Sequence, residues 1–340
     1  MTDADQALMK SVVGRAVTTA IRQQRPDAEV IHPQMNLELD LGLDSLARAE
    51  CLVNLEQALT VTFRPEDEAS ALTVAELISL AATKSGQSVH LTVTHERDWH
   101  DILADATPAL PEVQPLLERK PFTLWIARFL LKLTYGAAHV LFRLQVEGRE
   151  QLNKIQAPFL ICPNHQSYLD AVLVCSTYPR RLLPKIFHVG ATKYFSSRFG
   201  AWLANRLHIV PVDTDTNLLS AMRASAAGLR AGQVLNLYPE GHRTFAGELD
   251  EFRKGAAILA TELNLPIVPV ALDGLQHVWP REAKWIHFAQ VKIRFGAPIL
   301  PAPEIATHLA PKARYEAVTQ VLRNRIQQML EALRQSPNPN

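Results

Sequence analysis

The chain has 340 residues, of which 47% are hydrophobic and 20% charged, so it can bury a sizeable core and is not a disordered polypeptide. Its net charge of +1 hides an asymmetry: residues 1–88 carry 13 acidic and 7 basic side chains, whereas residues 89–340 carry 21 acidic and 28 basic ones. The two parts therefore have net charges of −6 and +7, which predicts two modules that attract each other or bind different partners.

The N-terminus and the cysteines bear on localisation. The stretch MTDADQALMKSVVGRA has no basic leader followed by an apolar core, so we expect no signal peptide. No uncharged run reaches 18 residues, which argues against a regular membrane span. Cys51, Cys162 and Cys175 show no paired spacing, which favours a reducing, cytoplasmic setting.

The first part of the chain predicts a small helical domain. Apolar residues recur at helical spacing over 5–24, 45–59 and 73–82. The third segment begins with Thr73 and Glu76 in the spacing of a capping box. We therefore predict a helical bundle over residues 1–84.

Residues 85–121 are polar and then proline-rich, which predicts a linker with room for a short helix near 97–104. A flexible linker of this length would have a root-mean-square span of roughly 30–35 Å. Such a tether would raise the local concentration of a group carried by the first domain to about the millimolar range.

From residue 122 onward, short β-rich runs alternate with helical patterns. The helical candidates cover 167–177, 193–206, 217–231 and 252–264. The alternation is typical of a sheet flanked by helices, so we predict an α/β domain with a mixed sheet over 122–340. The predicted strands are FLICP, KIFHVG, HIVPV, VLNLYP, PIVPVAL and VKIRFG.

Residues 122–144 predict an amphipathic helix of a particular kind. Its cationic side chains share a stripe about 60° wide, and bulky apolar side chains occupy much of the opposite side. This pattern is suited to a helix lying in an anionic membrane interface, with packing on the domain's own core as the alternative. The stripe comprises Arg128, Lys132, His139 and Arg143, and the apolar set comprises Phe122, Phe129, Leu130, Leu133, Val140, Leu141 and Leu144.

Two stretches carry candidate chemistry. In FLICPNHQSYLDAV, His165 follows a strand that ends at Pro163, and Asp170 lies in the first turns of an apolar helix. If the two meet, the carboxylate can orient the imidazole while the other ring nitrogen removes a proton from a hydroxyl; a purely structural pair is the alternative. In VLNLYPEGHRTFAGELDEFRKGA, Glu240 and Arg243 follow a strand and suit a polar, anionic head group, with surface salt bridges as the alternative.

Together these stretches resemble the glycerolipid acyltransferase family typified by 1-acylglycerol-3-phosphate acyltransferases, over roughly residues 122–335. NHQSYLD matches the family's H-x-x-x-x-D motif, which implies that His165 is a general base and Asp170 its partner. PIVPVAL resembles the family's final proline-containing block. YPEGHRT matches the E-G-T-R-S block, which implies an acceptor site formed by Glu240, Gly241, Arg243 and Thr244.

The resemblance implies direct transfer from a thioester, without a covalent acyl-enzyme and without a metal. The chain departs from the pattern at His242, where threonine is usual, and at Thr244, where serine is usual. It also has Thr214 where an arginine is common, so one expected phosphate contact is missing, for which Arg206 or Lys193 could substitute. The implied acceptor is a lysophospholipid or related lipid alcohol. Alternative acceptors are glycerol 3-phosphate and a specialised lipid without phosphate. An alternative function is that of a carrier scaffold whose acyltransferase domain is degenerate and only anchors the membrane.

DLGLDSLARAECLVNLEQAL resembles an acyl carrier protein around its phosphopantetheine site, with a match over about residues 5–84. The resemblance implies that Ser45, in the D-S-L core, carries a covalent 4′-phosphopantetheine, whereas a role as helix cap is the alternative. Arg48 and Ala49 depart from the usual acidic start of this helix.

The two resemblances together imply a carrier-fused O-acyltransferase of phospholipid biosynthesis. Its donor would be a fatty acyl thioester, held on Ser45 or supplied as a separate acyl carrier protein or acyl-CoA. Because no adenylate-forming domain is present, the implied partners include a separate acyl-activating enzyme besides a phosphopantetheinyl transferase. The expected location is cytoplasmic and peripheral on the inner face of the membrane, with no nucleic-acid partner.

Overall fold

The chain divides by its internal contacts into two compact units, Met1–Asp105 with Val212–Arg223, and Ala106–Pro211 with Ala224–Asn340. These units are seen in a computed structural model. It describes residues 8–28, 30–38, 40–64, 67, 71–85, 99–104, 113–114, 121–190, 208–211, 218–244, 247–279, 285–301 and 309–335.

The first unit contains the predicted helical bundle. Its helices are α1 (Val12–Gln24), α2 (Ser45–Leu59) and α3 (Val74–Ser85), which confirms all three predicted helices. The capping box at α3 is also present, since the Thr73 backbone N–H donates to Glu76 Oε2 over 3.0 Å and the Glu76 N–H donates to Thr73 Oγ1 over 3.3 Å. The three helices enclose an apolar core that includes Ile21, Leu43, Leu55 and Ile78.

A fourth helix, α4 (Trp99–Ala104), lies within the stretch predicted to be a linker. Its Trp99, Ile102 and Leu103 are buried, and Trp99 Nε1–H donates to Glu50 Oε1 on α2 over 2.9 Å. This stretch therefore contributes packed structure to the first unit, at the place where the sequence allowed a short helix. The domain limits at 84 and 122 stay a prediction.

The second unit is built on a seven-stranded mixed sheet. The strands are β1 (Gln145–Glu147), β2 (Phe159–Pro163), β3 (Ile186–Gly190), β4 (Ile209–Pro211), β5 (Val234–Asn236), β6 (Ile267–Asp273) and β7 (Lys292–Phe295). Their order in the sheet is β1-β7-β6-β2-β5-β3-β4, and neighbouring strands are parallel except for β6 and β7, which are antiparallel. All six predicted strands are present, and β1 was not predicted.

Helices flank the sheet, as the α/β prediction requires. The predicted helices 167–177, 217–231 and 252–264 are found within a few residues of their expected bounds, whereas 193–206 lies outside the described residues. The long helix Pro311–Gln335 was not predicted. The helices are α5 (Pro121–Leu141), α6 (Asp170–Thr177), α7 (Leu218–Arg230), α8 (Gly255–Glu262), α9 (Leu275–Val278) and α10 (Pro311–Gln335), with short 3₁₀ turns at Arg149–Asn153 and Leu183–Lys185.

Helix α5 differs from the amphipathic helix expected over 122–144 at its C-terminal end. The helix ends at Leu141, Arg143 adopts a left-handed backbone conformation with φ +44°, and Leu144 is buried in the core. Arg143 and Leu144 therefore do not belong to the two stripes. Within the described ranges, no helix is both long enough and apolar enough to cross a bilayer.

Candidate active site

The candidate residues of the second unit meet at one edge of the sheet. Strands β2 and β5 are parallel neighbours, with Phe159 opposite Val234 and Ile161 opposite Asn236. Parallel neighbours end at the same edge, so the loop that follows β2 and the loop that follows β5 lie side by side. The first of these loops carries His165 and the second carries the segment 238–244.

His165 and Asp170 form the predicted pair. His165 Nδ1 lies 2.7 Å from Asp170 Oδ2, and the same oxygen accepts the backbone N–H groups of Gln166 and Ser167 over 2.5 and 2.9 Å. The Asp170 side chain is fully buried, so it is fixed at the start of α6. A carboxylate facing Nδ1 favours the tautomer with the proton on Nδ1, which leaves Nε2 as the proton acceptor.

The imidazole is also held across its face. The rings of His165 and Tyr238 are stacked with their centroids 4.1 Å apart and their planes 23° apart. The His165 side chain keeps 22% of its surface exposed, and Nε2 has no hydrogen-bond partner among the described residues. The arrangement thus presents an oriented base that a hydroxyl can reach.

Glu240 holds the loop that carries His165. Its Oε1 accepts the backbone N–H of His165 over 2.7 Å, and its Oε2 accepts that of Asp250 over 3.0 Å. The side chain is fully buried, and burial raises the pKa of Glu240, an effect that the two backbone N–H groups partly offset. Both oxygens are engaged with backbone, so the geometry favours positioning of the base over the acceptor contact expected from the sequence.

Thr244 and Gly241 also shape the loops. The backbone N–H and the hydroxyl of Thr244 both donate to the carbonyl of His165, over 2.9 and 3.0 Å. Gly241 has φ +73°, and a side chain there would come within 2.6 Å of Arg253 Nε. A glycine is therefore required for this turn. Thr244 thus lies beside His165, and the contacts shown for both residues are to protein groups.

The sequence interpretation missed Asn164, which is 1% exposed. Its Nδ2 donates to the carbonyl of Leu272 over 3.0 Å, and its Oδ1 accepts the N–H of Leu272 over 2.7 Å. The side-chain amide thereby continues the β2–β6 pairing by one more step after β2 has ended. Its place directly before the histidine was the available signal.

Arg243 differs from Glu240 and Thr244, because its guanidinium forms no hydrogen bond to the backbone of the residues that the structure describes. Its guanidinium carbon lies 3.4 Å from the ring centroid of Tyr168, a cation–π contact, and no carboxylate pairs with it in the described part of the chain. Tyr168 is 55% exposed and contacts Trp279 with ring centroids 5.9 Å apart. Arg243 is thus oriented by an aromatic ring and available to an anion. Thr214, Arg206 and Lys193 lie outside the described residues.

A second set of polar contacts joins four side chains from β3, β5, α6 and the residue after α6. The Tyr178 hydroxyl donates to Asn236 Oδ1 over 2.8 Å, Asn236 Nδ2 lies 3.1 Å from His188 Nδ1, and His188 Nε2 lies 3.6 Å from Cys175 Sγ. Burial, together with the charge of His208, lowers the pKa of His188 to about 4. Burial also raises the pKa of Cys175 to about 12, so the pair stays neutral and supplies no thiolate nucleophile.

Ser45 lies in the other compact unit, at the first position of α2. The cap of this helix is Asp44, whose Oδ1 accepts the backbone N–H of Ala47 over 2.8 Å. Ser45 is partly exposed, and its hydroxyl has no hydrogen-bond partner among the residues that the structure describes. The preceding Gly42 turns the chain into the helix with φ +61°. The serine is therefore not the cap, and its hydroxyl is accessible.

Comparisons with known proteins match both units. Residues 143–273 match the family model described as "Acyltransferase", and residues 15–81 match the model described as "Phosphopantetheine attachment site". The chain therefore matches a phosphopantetheine attachment model and, further along, an acyltransferase model, which confirms the two resemblances found in the sequence. The first matched range contains His165, Asp170 and residues 240–244, and the second contains Ser45.

Several 1-acyl-sn-glycerol-3-phosphate acyltransferases are similar to this chain. The alpha protein of Homo sapiens is 26% identical over 197 residues, which cover 56% of this chain and 65% of that protein. The chloroplastic LPAT1 of Arabidopsis thaliana is 26% identical over 46% of this chain and 44% of its own length, and the Bacillus subtilis protein is 27% identical over 55% and 91%. The chain thus spans less than two thirds of the human and plant relatives.

A solved structure supports the fold. The crystal structure of the 1-acyl-sn-glycerophosphate acyltransferase PlsC from Thermotoga maritima matches with a TM-score of 0.51 at 19% identity, over 66% of this chain and 87% of that one. The mixed sheet flanked by helices is therefore the architecture of a known acyltransferase.

Proposed function

We propose that this chain is a carrier-fused O-acyltransferase that moves a fatty acyl group from a thioester to the hydroxyl of a lysophospholipid or a similar lipid alcohol. The observation that carries the proposal is the 2.7 Å contact between His165 Nδ1 and the buried Asp170, which leaves Nε2 as an oriented base at the edge of the sheet. The named activities of the similar proteins are consistent with this chemistry.

The proposed reaction is a direct transfer. His165 Nε2 takes the proton of the acceptor hydroxyl as its oxygen bonds to the thioester carbonyl carbon. The carbon–sulfur bond then breaks, and the departing thiolate receives the proton from the imidazolium. The Asp170 carboxylate stabilises the imidazolium between these steps, and positioning supplies the rest of the rate gain because the thioester is already activated.

We propose that Arg243 contacts the acceptor's anionic head group, with Tyr168 holding the guanidinium in place. A planar guanidinium suits phosphate oxygens because it offers two parallel N–H donors. Glu240, Thr244 and Gly241 act on the position of His165, since their polar groups and backbone are committed to protein contacts.

Ser45 is proposed as the attachment point of 4′-phosphopantetheine. The fit rests on its partly exposed position at the start of α2, where its hydroxyl has no partner among the described residues, and on Asp44, which supplies the helix cap in its place. When bound there, the group supplies a thiol that holds the acyl chain as a thioester. Charging it requires a phosphopantetheinyl transferase and a separate acyl-activating enzyme, and the opposite net charges of the two parts of the chain favour delivery within one chain.

Association with the inner face of the membrane is proposed from α5. Its Trp125, Phe129 and Leu133 are each more than half exposed, beside the exposed cations Arg128 and Lys132. Exposed aromatic and aliphatic side chains next to cations suit the interface of an anionic bilayer. A cytoplasmic, peripheral enzyme would meet its lipid acceptor there.

The deciding experiment follows the acyl group on the full chain. The protein is coexpressed with a phosphopantetheinyl transferase, charged with an acyl group and mixed with lipid extract, and intact mass and lipid mass spectrometry follow the transfer. We expect His165→Ala to charge normally and to transfer about 10²- to 10⁴-fold more slowly. Near-wild-type transfer by a folded His165→Ala protein would contradict the proposal.

Ser45→Ala is the matched variant for the donor. It should lose charging and all transfer from the charged protein, while transfer from free acyl-CoA continues. Equal loss with both donors would indicate a folding defect and would leave the role of Ser45 unsupported.

A further inference from the structure

The loop that connects α9 to β7 exposes three large apolar side chains. Trp285 is 80% exposed, Phe288 77% and Ile286 48%, within four consecutive residues. Single exposed apolar residues are common on soluble proteins, but a cluster of this kind marks a binding surface. We define Trp285, Ile286 and Phe288 as the aromatic loop.

The aromatic loop is tied on one side to the acceptor end of the candidate active site. The backbone N–H of His287 donates to the carbonyl of Val278 over 2.8 Å. The next residue, Trp279, contacts Tyr168, and Tyr168 carries the guanidinium of Arg243 at 3.4 Å. A backbone hydrogen bond thus connects the loop to the residue before Trp279, and Trp279 contacts the tyrosine that carries Arg243.

On its other side the loop is tied to the end of α5. The N–H of Val291 donates to the carbonyl of Phe142 over 3.0 Å, and the N–H of Gln145 donates to the carbonyl of Val291 over 2.9 Å. Phe142 directly follows Leu141 and Val140, which are 46% and 80% exposed. Three residues span roughly 10 Å at most, so Phe288 lies near the exposed apolar end of α5.

We propose that the aromatic loop is a second membrane-contacting element, which enters the interfacial zone of the bilayer beside the entrance to His165. This proposal rests on the proposed function, because the loop would place the bilayer that supplies the lipid acceptor against the Arg243 end of the site. Together with α5 it gives the membrane two contacts.

The chemistry of the loop favours a bilayer over the other possible occupants. Tryptophan and phenylalanine are the side chains that sit at membrane–water interfaces. An acidic carrier domain would be bound by charged side chains, whereas the three exposed side chains of the aromatic loop are apolar and Lys284 only precedes them in the sequence. The contact that these three side chains make should therefore be apolar, unlike that of the cationic stripe on α5.

Vesicle cosedimentation of the full chain tests the proposal. The double variant Trp285→Ser, Phe288→Ser should bind phosphatidylcholine vesicles about 10- to 100-fold more weakly than wild type, by the loss of two buried aromatic side chains. The loss should be similar in vesicles that contain phosphatidylglycerol. The matched control is Val30→Ser, Leu72→Ser, which removes two side chains of similar exposure, 67% and 56%, from the first unit and should bind as wild type.

Three outcomes decide the matter. Wild-type binding by the double variant overturns the proposal, and so does a loss of binding that coincides with a change of oligomeric state in light scattering, which would indicate a second copy as the occupant. If the double variant misfolds, Trp285→Phe, Phe288→Leu replaces it; this apolar variant should keep most of the binding, and its loss would overturn the idea.

Turnover separates this proposal from the proposed function. In the double variant, the rate of transfer to an acceptor embedded in vesicles should fall by a factor about ten times larger than the rate of transfer to a monomeric, water-soluble acceptor. A chain that binds vesicles through the loop but transfers to neither acceptor would contradict the proposed function and leave the membrane contact standing.

Discussion

Ser45 and His165 carry the proposed chemistry of the two units, and their surroundings are opposite. The Ser45 hydroxyl has no partner in the described residues, and the helix behind it is capped by Asp44. His165 is held through its ring by Asp170, through its N–H by Glu240 and through its carbonyl by Thr244.

The difference follows from what each residue is proposed to do. An attachment point must be reached by a modifying enzyme and then leave its cargo mobile, so contacts to the hydroxyl would oppose its use. A general base must stay within hydrogen-bond reach of a reacting atom, and small displacements are costly in rate. Accessibility and restraint therefore distinguish the two sites.

The largest effect should come from Asp170→Asn. An amide cannot hold the imidazole proton on Nδ1 as a carboxylate does, so we expect turnover to fall about 10³-fold or more, as measured by acyl transfer at saturating acceptor. The matched control is Asp250→Asn, because Asp250 forms an exposed 2.9 Å contact with His242. This control should keep turnover within about twofold, and equal effects of the two variants would contradict the special role of the buried pair.

Glu240→Gln should have the next largest effect. One amide N–H₂ would face a backbone N–H, which loosens the loop that carries His165. We expect kcat to fall about 10- to 100-fold with little change in the KM for the acceptor, because the side chain holds the base. A rise in KM at constant kcat would instead restore Glu240 to the acceptor contact expected from the sequence.

His188, in the second set of polar contacts, should make the free energy of unfolding depend on pH. The pKa of His188 is lowered to about 4 from an ordinary value of 6.5, so the folded protein binds fewer protons there than the unfolded chain. The contribution of neutral His188 to the free energy of unfolding is therefore present above pH 6.5 and is lost as the pH falls towards 4. Between pH 7.5 and 5, the free energy of unfolding should fall by about 2 kcal/mol. Urea unfolding at the two pH values should show this loss in wild type and not in His188→Asn.

The control for this measurement is His277→Asn, which removes an exposed histidine. It should show the same pH dependence as wild type. If His188→Asn also keeps the wild-type dependence, His188 does not titrate as a buried, neutral group.

The smallest effects are expected at Asp44 and Ser45 in the first unit. Asp44→Ala should lower the free energy of unfolding of the first unit by about 1 kcal/mol, because it removes the cap of α2. Ser45→Ala should lower it by less than about 0.5 kcal/mol. It should also abolish the mass gain on treatment with a phosphopantetheinyl transferase. A Ser45→Ala cost as large as that of Asp44→Ala would show that the serine serves the helix after all.

Local patterns in the sequence predicted most of the elements and the pairing of His165 with Asp170, which lie five residues apart. They did not predict how Glu240 and Thr244 act, because each bonds to the His165 backbone from more than 70 residues away. The same limit applies to Asn164, whose partner Leu272 is on another strand. The identity of a side chain suggests a site, but only the hydrogen bonds in the folded chain show whether its oxygen atoms are engaged with backbone.

Element prediction failed for a different reason. Strand β1 has three residues and is defined by its pairing with β7, which leaves almost no periodicity to detect. The end of α5 was misplaced because Arg143 and Leu144 continue its apolar and basic spacing, whereas the backbone at Arg143 turns to φ +44° and directs Leu144 into the core.

The hydrogen bonds of Asn164, Glu240 and Thr244 have a consequence for how such an enzyme can diversify. Every polar side-chain atom that they contribute is engaged with backbone, whereas the contact between Arg243 and Tyr168 involves none of those atoms. Under the proposed function, acceptor preference and base geometry thus depend on different side chains. Lineages or engineers could exchange the arginine and its aromatic support for a new head group while inheriting the proton-transfer apparatus unaltered.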